Sequence, residues 1–494
     1  MNGNSANIPQ ILFSLDDQKE HYLVEGDCAC PTWHSAIQPR DLPLPIERPL
    51  RQSPAIIAPV NHDFSTVLTH VRPGGIAVLN AEALSLWHLF RHSRTVSDAL
   101  GLDRVQASET ASLAAIQRLW ARGFLTAASI PEPSTTPSPT LLVWLHVTNA
   151  CNLRCSYCFV DTTPEFMDEG ISQLAIDAVF RSALTHRYRN VKLKYSGGES
   201  LLNFKRVLST HKYAQSIADN LSIQLQGVVL TNGVRLTDRV IADLRDHDLA
   251  LMISLDGVGE AHDAQRKFVD GRGTFDLVER GIKVARAGDL IPSISITITE
   301  RNAPYLAATL EWILAHNLPF SLNFYRENGL ADRHMFDEQR MISDVLRAFR
   351  VIEDNLPQHS LLASLTDRAD LSVAHDRPCA VGQDYLVIDQ HGRIAKCHML
   401  LAHSITDVYA RDPLALLRAD QVGIQNPLVT DKMDCSACEW KFWCAGGCPI
   451  TAFNASGGFN GRTPYCKVYQ AIFPEVVRLE ALRLLKYYSG DYLS

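Results

Sequence analysis

Short apolar runs alternate with longer amphipathic stretches between residues 141 and 355. The apolar runs, which we predict to be strands, are residues 141–147, 191–195, 223–230, 249–254, 292–298 and 319–324. The amphipathic stretches, which we predict to be helices, are residues 171–186, 203–219, 236–246, 274–287, 303–315 and 336–354. Alternation of this kind is typical of parallel strands joined by right-handed crossovers. The pattern predicts an α/β fold with six strand–helix units, too few to close an eight-unit barrel.

Polar and glycine-rich segments follow the ends of the first four predicted strands. In chain order they are the segment with Cys151, Cys155 and Cys158, then Ser196-Gly197-Gly198-Glu199, then Thr231-Asn232-Gly233, and then Ser254-Leu255-Asp256-Gly257. Glycine in such turns permits positive φ angles and a close approach of the backbone to a ligand. Because the carboxyl ends of parallel strands meet at one face of the sheet, we expect these segments to form one site.

The residues before the predicted barrel divide into two parts. Residues 129–140 carry four prolines, which remove backbone donors and fix φ, so we predict a linker there. In residues 1–128, a short apolar run at 75–79 is followed by Asn80, a residue type that caps helices, and by three helical patterns. We therefore predict a separate N-terminal domain with strands followed by helices.

Three of the 12 cysteines lie within eight residues, at Cys151, Cys155 and Cys158. Their thiolates can hold three irons of a 4Fe–4S cluster, which normally takes four thiolates, and the next cysteine along the chain is Cys379. One iron is therefore expected to be open to a ligand other than protein. The spacing alone also allows a zinc site with His146 as the fourth ligand, or buried apolar thiols.

The run Cys-x-x-x-Cys-x-x-Cys, followed by the aromatic Phe159, resembles the signature of the radical S-adenosylmethionine (SAM) enzymes. The resemblance covers residues 141–355 and implies a partial (β/α)6 barrel. It implies that SAM chelates the open iron through the amino and carboxylate groups of its methionine part. Reductive cleavage of SAM would then give a 5′-deoxyadenosyl radical that abstracts hydrogen from the substrate.

The same resemblance implies which residues contact SAM. They are Gly197, Gly198, Glu199, Asn232, Ser254, Asp256, Arg266 and Thr299. The first three would border the methionine end, where carbonyl and carboxylate oxygens accept from the ammonium. Ser254 and Arg266 would bind the SAM carboxylate, which suits an arginine fork; a solvated helix position is the alternative for Arg266. The others are assigned to the ribose or the adenine.

Seven further cysteines lie in the last quarter of the chain. They are Cys379, Cys397, Cys435, Cys438, Cys444, Cys448 and Cys466. Their spacing, with Cys-Ala-Gly-Gly-Cys-Pro at 444–449, resembles the SPASM domain of many radical SAM enzymes that modify peptides. We therefore assign residues 356–494 to such a domain and a C-terminal helix. A pair of zinc knuckles is the alternative.

The SPASM resemblance implies two auxiliary 4Fe–4S clusters, so that the chain would carry three in all. One cluster would be held by Cys435, Cys438, Cys444 and Cys466. The other would be held by Cys379, Cys397 and Cys448, which leaves its fourth ligand open. Several relatives have an aspartate after the cysteine that matches Cys397, but here the residue is His398. His398 could be a base or a ligand, or an ordinary histidine beside the site or on the surface.

The order of elements in residues 1–128 resembles the small winged-helix domain that binds leader peptides, typified by the one in pyrroloquinoline-quinone biosynthesis. Such a domain binds a peptide as an added strand at a sheet edge, and the tether raises the local concentration of substrate. A DNA-binding winged helix is the alternative. The acidic balance of the chain and the scarcity of basic residues near the candidate recognition helix disfavour it.

Charge and composition narrow the possible partners and location. The formal net charge is −7 and no long basic run is present, so neither nucleic acid nor an anionic membrane is an expected partner. No apolar run is long enough to span a bilayer, and the N-terminus lacks a secretory signal pattern. We expect a cytoplasmic protein whose cysteines stay reduced. Cys28 and Cys30 are interpreted as free thiols in a loop, and the alternative is that one of them contributes to the incomplete auxiliary cluster.

Together these features predict a radical SAM enzyme that forms a cross-link within a ribosomally made precursor peptide carrying a leader. An external donor such as flavodoxin or ferredoxin would supply electrons. Alternatives are side-chain oxidation in the manner of sulfatase-maturing enzymes, peptide epimerisation, and a noncatalytic zinc or redox regulator. No catalytic acid or base is identified by the sequence; Tyr325, Arg326 and His398 are candidates by position only.

Overall fold

A computed structural model describes most of the chain. The described residues are 8–14, 43–71, 75–102, 108–127, 138–327, 337–367, 369–372 and 374–488. Cys28, Cys30 and most of the predicted linker 129–140 lie outside them. Across the described ranges, none of the helices combines the length and the apolar character needed to cross a bilayer.

The N-terminal part is built on two small antiparallel sheets. Its strands are β1 (Ile11–Phe13), β2 (Leu50–Gln52), β3 (Ala55–Pro59), β4 (Phe64–Thr69), β5 (Gly75–Asn80) and β6 (Leu125–Ala127). Its helices are α1 (Ala81–His88), α2 (Val96–Leu100) and α3 (Glu109–Ala121). The order in the larger sheet is β1-β5-β4-β3, and β2 pairs with β6.

Asn80 caps the first helix as the sequence predicts. Its Oδ1 accepts a hydrogen bond from the Ala83 backbone N–H at 3.0 Å, which satisfies one of the free amides at the start of α1. Trp87 of α1 and Trp120 of α3 are fully buried in the core of this part. The strands followed by three helices agree with the predicted order, and the winged-helix assignment stays a prediction.

The centre of the molecule is a sheet in which the first six strands along the chain are parallel. These strands are β7 (Thr140–His146), β8 (Asn190–Ser196), β9 (Gln224–Thr231), β10 (Leu249–Ser254), β11 (Ser293–Ile298) and β12 (Phe320–Phe324). The helices between and after them are α4 (Glu169–Thr185), α5 (Phe204–Leu221), α6 (Asp238–Asp246), α7 (Glu260–Asp263), α8 (Phe275–Ala287), α9 (Leu306–Ala315) and α10 (Glu338–Asp354). Neighbours along the chain are neighbours in the sheet, so the predicted α/β architecture is confirmed.

Side chains alternate between the two faces of the barrel strands. Val143 and Leu145 pack in the main core with the helices, whereas Trp144 faces a second apolar cluster. This alternation gives the parallel strands one face for helix packing and one face toward the lumen. The short helix α7, which the sequence analysis did not predict, follows the end of β10.

The C-terminal part continues the same sheet. The strands β13 (Tyr385–Ile388), β14 (Arg393–Ala395) and β15 (Ser404–Asp407) extend the sheet beyond β7, and β13 pairs with β7 in parallel. The remaining helices are α11 (Pro413–Ala419), α12 (Lys441–Cys444), α13 (Pro449–Ser456) and α14 (Cys466–Tyr488). The C-terminal part thereby pairs directly with β7, the strand that precedes the segment with Cys151, Cys155 and Cys158.

Helix α14 connects the N-terminal sheet to the rest of the molecule. Its Glu480 is fully buried and accepts hydrogen bonds from the Ser14 hydroxyl and from the Leu361 backbone N–H, the latter at 3.1 Å. Arg483, also fully buried, pairs with the same carboxylate at 2.9 Å. A buried pair of this kind holds because each charge is both paired and hydrogen-bonded.

Candidate functional site

The loop that follows β7 carries the first three cysteines and is fixed by backbone hydrogen bonds. The Arg154 N–H donates to the Lys267 carbonyl at 2.8 Å, and the Ser156 N–H donates to the Gln265 carbonyl at 3.0 Å. The segment 265–267 follows helix α7. Two loops that are distant in the sequence therefore hold each other in one conformation. We call the loop 151–158 the cysteine loop.

The thiols of the cysteine loop are close enough to influence each other's ionisation. Burial raises the pKa of Cys155 to about 12 and that of Cys151 to about 11, and it raises the pKa of Cys158 as well. The neighbouring thiols add to these shifts, while Arg266 opposes them. Three half-buried thiolates that repel one another need positive charge to be stable, and iron–thiolate bonds supply it. The donor set therefore fits an iron–sulfur cluster.

Because Gly197 and Gly198 have no side chains, the end of β8 packs directly on residues 148–150, which precede the cysteine loop. The Gly198 N–H donates to the Thr148 carbonyl at 2.7 Å. A Cβ atom at Gly198 would lie 2.4 Å from the Ala150 carbonyl oxygen, and one at Gly197 would lie 2.3 Å from the Thr148 carbonyl oxygen. No larger residue fits at either position without moving the cysteine loop.

Glu199 joins the ends of β8 and β9. Its buried carboxylate accepts hydrogen bonds from the Leu201 N–H at 2.9 Å, the Thr231 hydroxyl at 2.7 Å and the Asn232 N–H at 2.7 Å. Burial raises the pKa of this carboxyl group, although the three donors oppose the shift. Both carboxylate oxygens are thus engaged within the protein. A contact with the SAM ammonium would be additional to these bonds.

Asn232 contacts the cysteine loop itself. Its side-chain amide donates to Oδ1 of Asn152 at 2.8 Å, and its own Oδ1 accepts from the Val234 N–H at 3.1 Å. Ser254 stands half-buried at the end of β10. The structure therefore brings predicted residues from the ends of β8 and β9 against the cysteine loop and the residues that precede it.

Arg266 is buried beside the cysteine loop, so its interpretation as a solvated helix residue is wrong. It is 7% exposed and donates a hydrogen bond to the Tyr157 hydroxyl. Its NH1 atom lies 3.6 Å from Oδ2 of Asp256. Its Nε atom has no hydrogen-bond partner among the described residues. A buried donor left unpaired is costly, and a carboxylate such as that of SAM would satisfy it.

Two residues of this network were not assigned by the sequence analysis. Tyr157 accepts from Arg266 and donates to Asp256 at 2.6 Å, so it connects them. His262 is fully buried; its Nδ1 accepts from the Asp256 N–H at 3.2 Å, and its Nε2 lies 3.1 Å from the Thr274 hydroxyl. Burial lowers the pKa of His262, so the neutral ring fixes the turn after β10. The aromatic residue between the second and third cysteines was the available signal for Tyr157.

A cavity of about 550 Å³ opens beside the cysteine loop. Residues from the loop, from the segment that follows α7 and from the end of β11 line it; they include Cys155, Cys158, Asp161, Gln265, Lys267 and Arg301. The cavity lies where the strand ends meet, and its walls are polar and charged. It therefore has the position and the chemistry of a binding site for a charged small molecule.

The seven C-terminal cysteines fall into two groups. Cys379, Cys397 and Cys448 are buried in one apolar cluster with Trp144 and Tyr385; we call them the three-cysteine group. The pKa values of Cys435, Cys444 and Cys466 are raised first by burial and then by the charges of other thiols in this set, including that of Cys438, so the four thiols lie near one another; we call these four residues the four-cysteine group. These are the two sets that the SPASM resemblance implies, and their assignment to two clusters stays a prediction.

The structure offers no site for a single metal ion such as zinc among the residues that it describes. Within these ranges, no three or more His, Cys, Asp or Glu side chains are arranged to hold one metal ion. His146, the candidate fourth ligand of a zinc site, is fully buried and bonds through Nε2 to Oδ1 of Asn149 at 2.6 Å. Burial lowers the pKa of His146 to about 4. In the structure this histidine contacts the start of the cysteine loop.

A family model described as the radical SAM superfamily matches residues 145–313. This segment is a radical SAM domain. The match begins at the end of β7, contains the cysteine loop and ends within α9. Radical SAM proteins use SAM and a 4Fe–4S cluster, and the cysteine loop with Arg266 beside it has the donors that both would need.

Relatives of known and unknown function share this radical SAM domain. An uncharacterized protein of Methanocaldococcus jannaschii is 28% identical over 173 residues, which are 35% of this chain and 57% of that protein. A serine-type anaerobic sulfatase-maturating enzyme of Klebsiella aerogenes is 25% identical over 370 residues, 70% of this chain and 87% of the enzyme. The sporulation killing factor maturation protein SkfB of Bacillus subtilis is 25% identical over 230 residues, 46% of this chain and 50% of SkfB. The matches therefore span only about half the length of the first and third of these relatives.

The fold also resembles a solved structure. The anSMEcpe protein, with bound AdoMet and the Cp18Cys peptide, superposes with a TM-score of 0.55 at 15% sequence identity. The superposition covers 69% of this chain and 99% of that chain. The chain therefore shares the fold of that protein across the barrel and beyond it.

The three catalytic candidates lie at different places around the radical SAM domain. His398 is 3% exposed and stacks on Trp144 with ring centroids 4.5 Å apart, so its interpretation as an exposed histidine is wrong. Tyr325 lines a cavity of about 200 Å³ between the end of the barrel and α13. Arg326 forms an ion pair with Asp367 at 2.6 Å, which neutralises its charge. None of these contacts assigns a catalytic role.

Proposed function

We propose that this chain is a radical SAM/SPASM enzyme that forms a cross-link within a ribosomally made precursor peptide. The observation that carries this proposal is a groove between the edge of the N-terminal sheet and the four-cysteine group. The groove has a volume of about 800 Å³. It is lined by residues of both parts, including Ile56, Ile57, Leu68, Cys438, Trp440 and Val477.

The groove suits an extended peptide. Strand β3 is at the end of its sheet and, among the described residues, pairs only with β4. Ile57 of β3 is 41% exposed. A leader peptide could add to this edge as a fifth strand, with backbone hydrogen bonds for affinity and apolar pockets for side chains. The leader would then lie next to the cysteines of the SPASM part, and we assign residues 1–128 this recognition role.

In the proposed enzyme the cysteine loop holds the SAM-binding cluster. Cys151, Cys155 and Cys158 would ligate three irons, and Arg266 would pair with the SAM carboxylate. Gly197, Gly198 and Glu199 hold the loop at the correct distance from β8, whereas Asn232, Ser254 and Asp256 border the rest of the SAM site. When bound, SAM and a reduced cluster would supply the radical chemistry that abstracts hydrogen from the peptide.

The two C-terminal groups would hold two auxiliary 4Fe–4S clusters, which makes three in the chain. The four-cysteine group offers a complete ligand set, while the three-cysteine group leaves one position for a ligand that is not cysteine. After hydrogen abstraction, closing the cross-link requires the peptide to give up one electron and one proton. The electron would pass to an auxiliary cluster, and flavodoxin or ferredoxin would exchange electrons with the protein. We place this enzyme in the cytoplasm, without a nucleic-acid or membrane partner.

The test is mass spectrometry of a peptide encoded beside this gene and co-expressed with the protein under anaerobic conditions. A cross-link removes two hydrogens, so the peptide should lose the mass of two hydrogen atoms. The matched control replaces Cys151, Cys155 and Cys158 by alanine and should leave the peptide unmodified. An unchanged mass with deuterium uptake from heavy water would indicate epimerisation instead. An unchanged mass without deuterium uptake would contradict a peptide target.

Sulfatase maturation is the second candidate, because the Klebsiella aerogenes maturase matches 70% of this chain. In that case the protein should oxidise the side chain of a serine in a synthetic sulfatase peptide to an aldehyde, again with the loss of two hydrogens. A requirement for a leader peptide distinguishes the two candidate functions. Activity on a short peptide without a leader favours sulfatase maturation, whereas a requirement for the leader favours the cross-linking enzyme. Formation of 5′-deoxyadenosine in either assay would exclude a noncatalytic regulator.

A further inference from the structure

Lys432 is a fully buried lysine located between the two C-terminal cysteine groups. It is 0% exposed, and its ammonium group donates to the Ala445 carbonyl at 2.9 Å. The groups whose charge acts on it most strongly are the thiols of Cys435, Cys444, Cys379 and Cys448, in that order. Two of these belong to the four-cysteine group and two to the three-cysteine group. Lys432 is therefore near both groups at once.

The segment that Lys432 contacts connects the two groups. Ala445 and Gly446 lie between Cys444 of the four-cysteine group and Cys448 of the three-cysteine group. Gly446 has a φ of +82°, and a Cβ atom there would lie 2.7 Å from both Cδ and Nζ of Lys432. Glycine at this position leaves the space that the lysine side chain occupies. The backbone is therefore shaped to hold an ammonium group at the junction of the two groups.

No carboxylate neutralises Lys432 within the described residues. Its only hydrogen-bond acceptor there is the Ala445 carbonyl, although an ammonium has three N–H donors. A buried charge without a partner is strongly unfavourable. The remaining candidates for its counter-charge are the cysteine sulfurs, which are anionic when they bind iron.

We propose that the Lys432 ammonium is the shared counter-charge of the two auxiliary clusters and raises the reduction potentials of both. This inference rests on the assignment of the seven cysteines to two clusters, which is part of the proposed function. Reduction adds one negative charge to a cluster, and a fixed positive charge nearby favours that form. Raised potentials would make the auxiliary clusters better acceptors of the electron that the peptide radical gives up. Lys432 would therefore act on the two clusters through its positive charge.

The experiment measures the midpoint potentials of the auxiliary clusters by redox titration monitored by EPR. It uses the full-length chain with Cys151, Cys155 and Cys158 replaced by alanine, so that only the auxiliary clusters contribute. In this background, Lys432→Met and Lys432→Gln remove the charge, and Lys432→Arg keeps it. Lys467→Met is the matched control, because Lys467 is next to Cys466 but is 64% exposed and paired with Glu338 at 3.0 Å.

We expect both neutral variants to make reduction of each auxiliary cluster about tenfold less favourable, which is about 59 mV for one electron. Lys432→Arg should restore the potentials, and Lys467→Met should leave them unchanged because water and salt screen its charge. Loss of the auxiliary iron from both neutral variants but not from Lys432→Arg would also support the counter-charge role.

Three results would overturn the inference: unchanged potentials in the neutral variants, a shift of one cluster only, or loss of iron in all three Lys432 variants. The last result would mean that the shape of the side chain matters and its charge does not. These outcomes differ from failure of the proposed function. In that case the protein with lysine at position 432 would itself show no auxiliary iron–sulfur signal.

Discussion

Tyr157 and Asp256 lie 99 residues apart in the sequence, yet the Tyr157 hydroxyl donates to the Asp256 carboxylate at 2.6 Å. Tyr157 belongs to the cysteine loop and Asp256 to the turn after β10. Arg266 donates to the same hydroxyl, so the three side chains form one chain of hydrogen bonds. Burial keeps the pKa of Tyr157 well above its usual value, and the hydroxyl therefore remains a donor at neutral pH. This relationship ties the position of Arg266 to the cysteine loop.

We predict that Tyr157→Phe weakens SAM binding and leaves the iron content unchanged. The substitution removes the hydroxyl that holds Arg266 toward the site. Hydrogen bonds to charged groups contribute about 1.5–3 kcal/mol, so the Kd for SAM should rise by about tenfold or more. Equilibrium binding of SAM and iron analysis would measure the two effects.

Tyr213→Phe is the control for this variant. Tyr213 donates to Asp177 at 2.8 Å, which is a similar bond between α5 and α4, outside the site. It should leave the Kd for SAM unchanged. Equal SAM affinity in Tyr157→Phe and the unsubstituted protein would contradict the positioning role of Tyr157.

We predict that Gly198→Ala displaces the cysteine loop. The added Cβ would meet the Ala150 carbonyl oxygen at 2.4 Å and the Asn149 carbonyl oxygen at 2.6 Å, and backbone atoms cannot yield as a flexible side chain can. After anaerobic reconstitution, the variant should contain about one cluster fewer than the three expected in the unsubstituted protein. Its melting temperature should also be lower. Overpacking of this kind typically costs about 1–3 kcal/mol.

Gly170→Ala is the matched control for the glycine variant. In α4 a Cβ at this position would lie 3.5 Å from the Asp168 carboxylate, an ordinary contact. Alanine is a better helix former than glycine by about 1 kcal/mol, so the control should not lose stability. If Gly198→Ala kept all of its iron, the close packing between β8 and the cysteine loop would not matter for cluster binding.

We predict about twelve irons in the anaerobically reconstituted protein, from three 4Fe–4S clusters. Replacing Cys151, Cys155 and Cys158 by alanine should remove about a third of the iron and abolish formation of 5′-deoxyadenosine. Replacing Cys435 and Cys438 should instead remove the cluster of the four-cysteine group and leave SAM cleavage measurable. Iron and sulfide analysis with Mössbauer spectroscopy would count the clusters. Stoichiometric zinc in place of iron would refute the cluster assignment.

We predict that stability falls below pH 6.5, partly because of His211. Burial lowers the pKa of His211 to about 4 from an ordinary value of 6.5. The unfolded chain therefore takes up a proton on this side chain before the folded protein does. The contribution of the neutral histidine is fully present above pH 6.5 and is lost as the pH falls toward 4. The loss is on the order of 3 kcal/mol for this group.

The measurement is the free energy of unfolding in urea at several pH values between 7 and 4. His211→Gln cannot take up the proton, so its stability should depend less steeply on pH over this range. His403→Gln, at an exposed position, should show the same pH dependence as the unsubstituted protein. Identical slopes for all three proteins would mean that His211 ionises as freely in the folded state as in the unfolded chain.

The elements of the barrel could be predicted because their signals are local. Each predicted strand of the barrel agrees with an observed strand to within one residue at either end, since a buried strand needs a continuous apolar run. The short strand β13 was not predicted, although Tyr385–Ile388 is an apolar run of four residues. Its pairing with β7 joins residues more than two hundred positions apart, and no local pattern encodes such a partner.

The sequence predicted those site residues that belong to recognisable motifs. It was less informative about the burial and the contacts of the residues around them. The spacing of Cys151, Cys155 and Cys158 is contained in eight residues, so it can be recognised without the fold. The burial of Arg266 and of His398 could not be recognised, because burial depends on what packs from elsewhere. The alternatives that placed these two residues at the surface were wrong for that reason.

The sequence by itself determined the order of the barrel strands and the close spacing of Cys151, Cys155 and Cys158. Both properties follow from residues that are close together in the chain. Only the tertiary structure decided that Tyr157 connects Asp256 to Arg266, and that Lys432 lies between the two C-terminal cysteine groups. These relationships depend on loops that meet at the ends of different strands. The physical reason is that hydrogen bonds and charges act through space, whereas periodicity and spacing report only what lies along the chain.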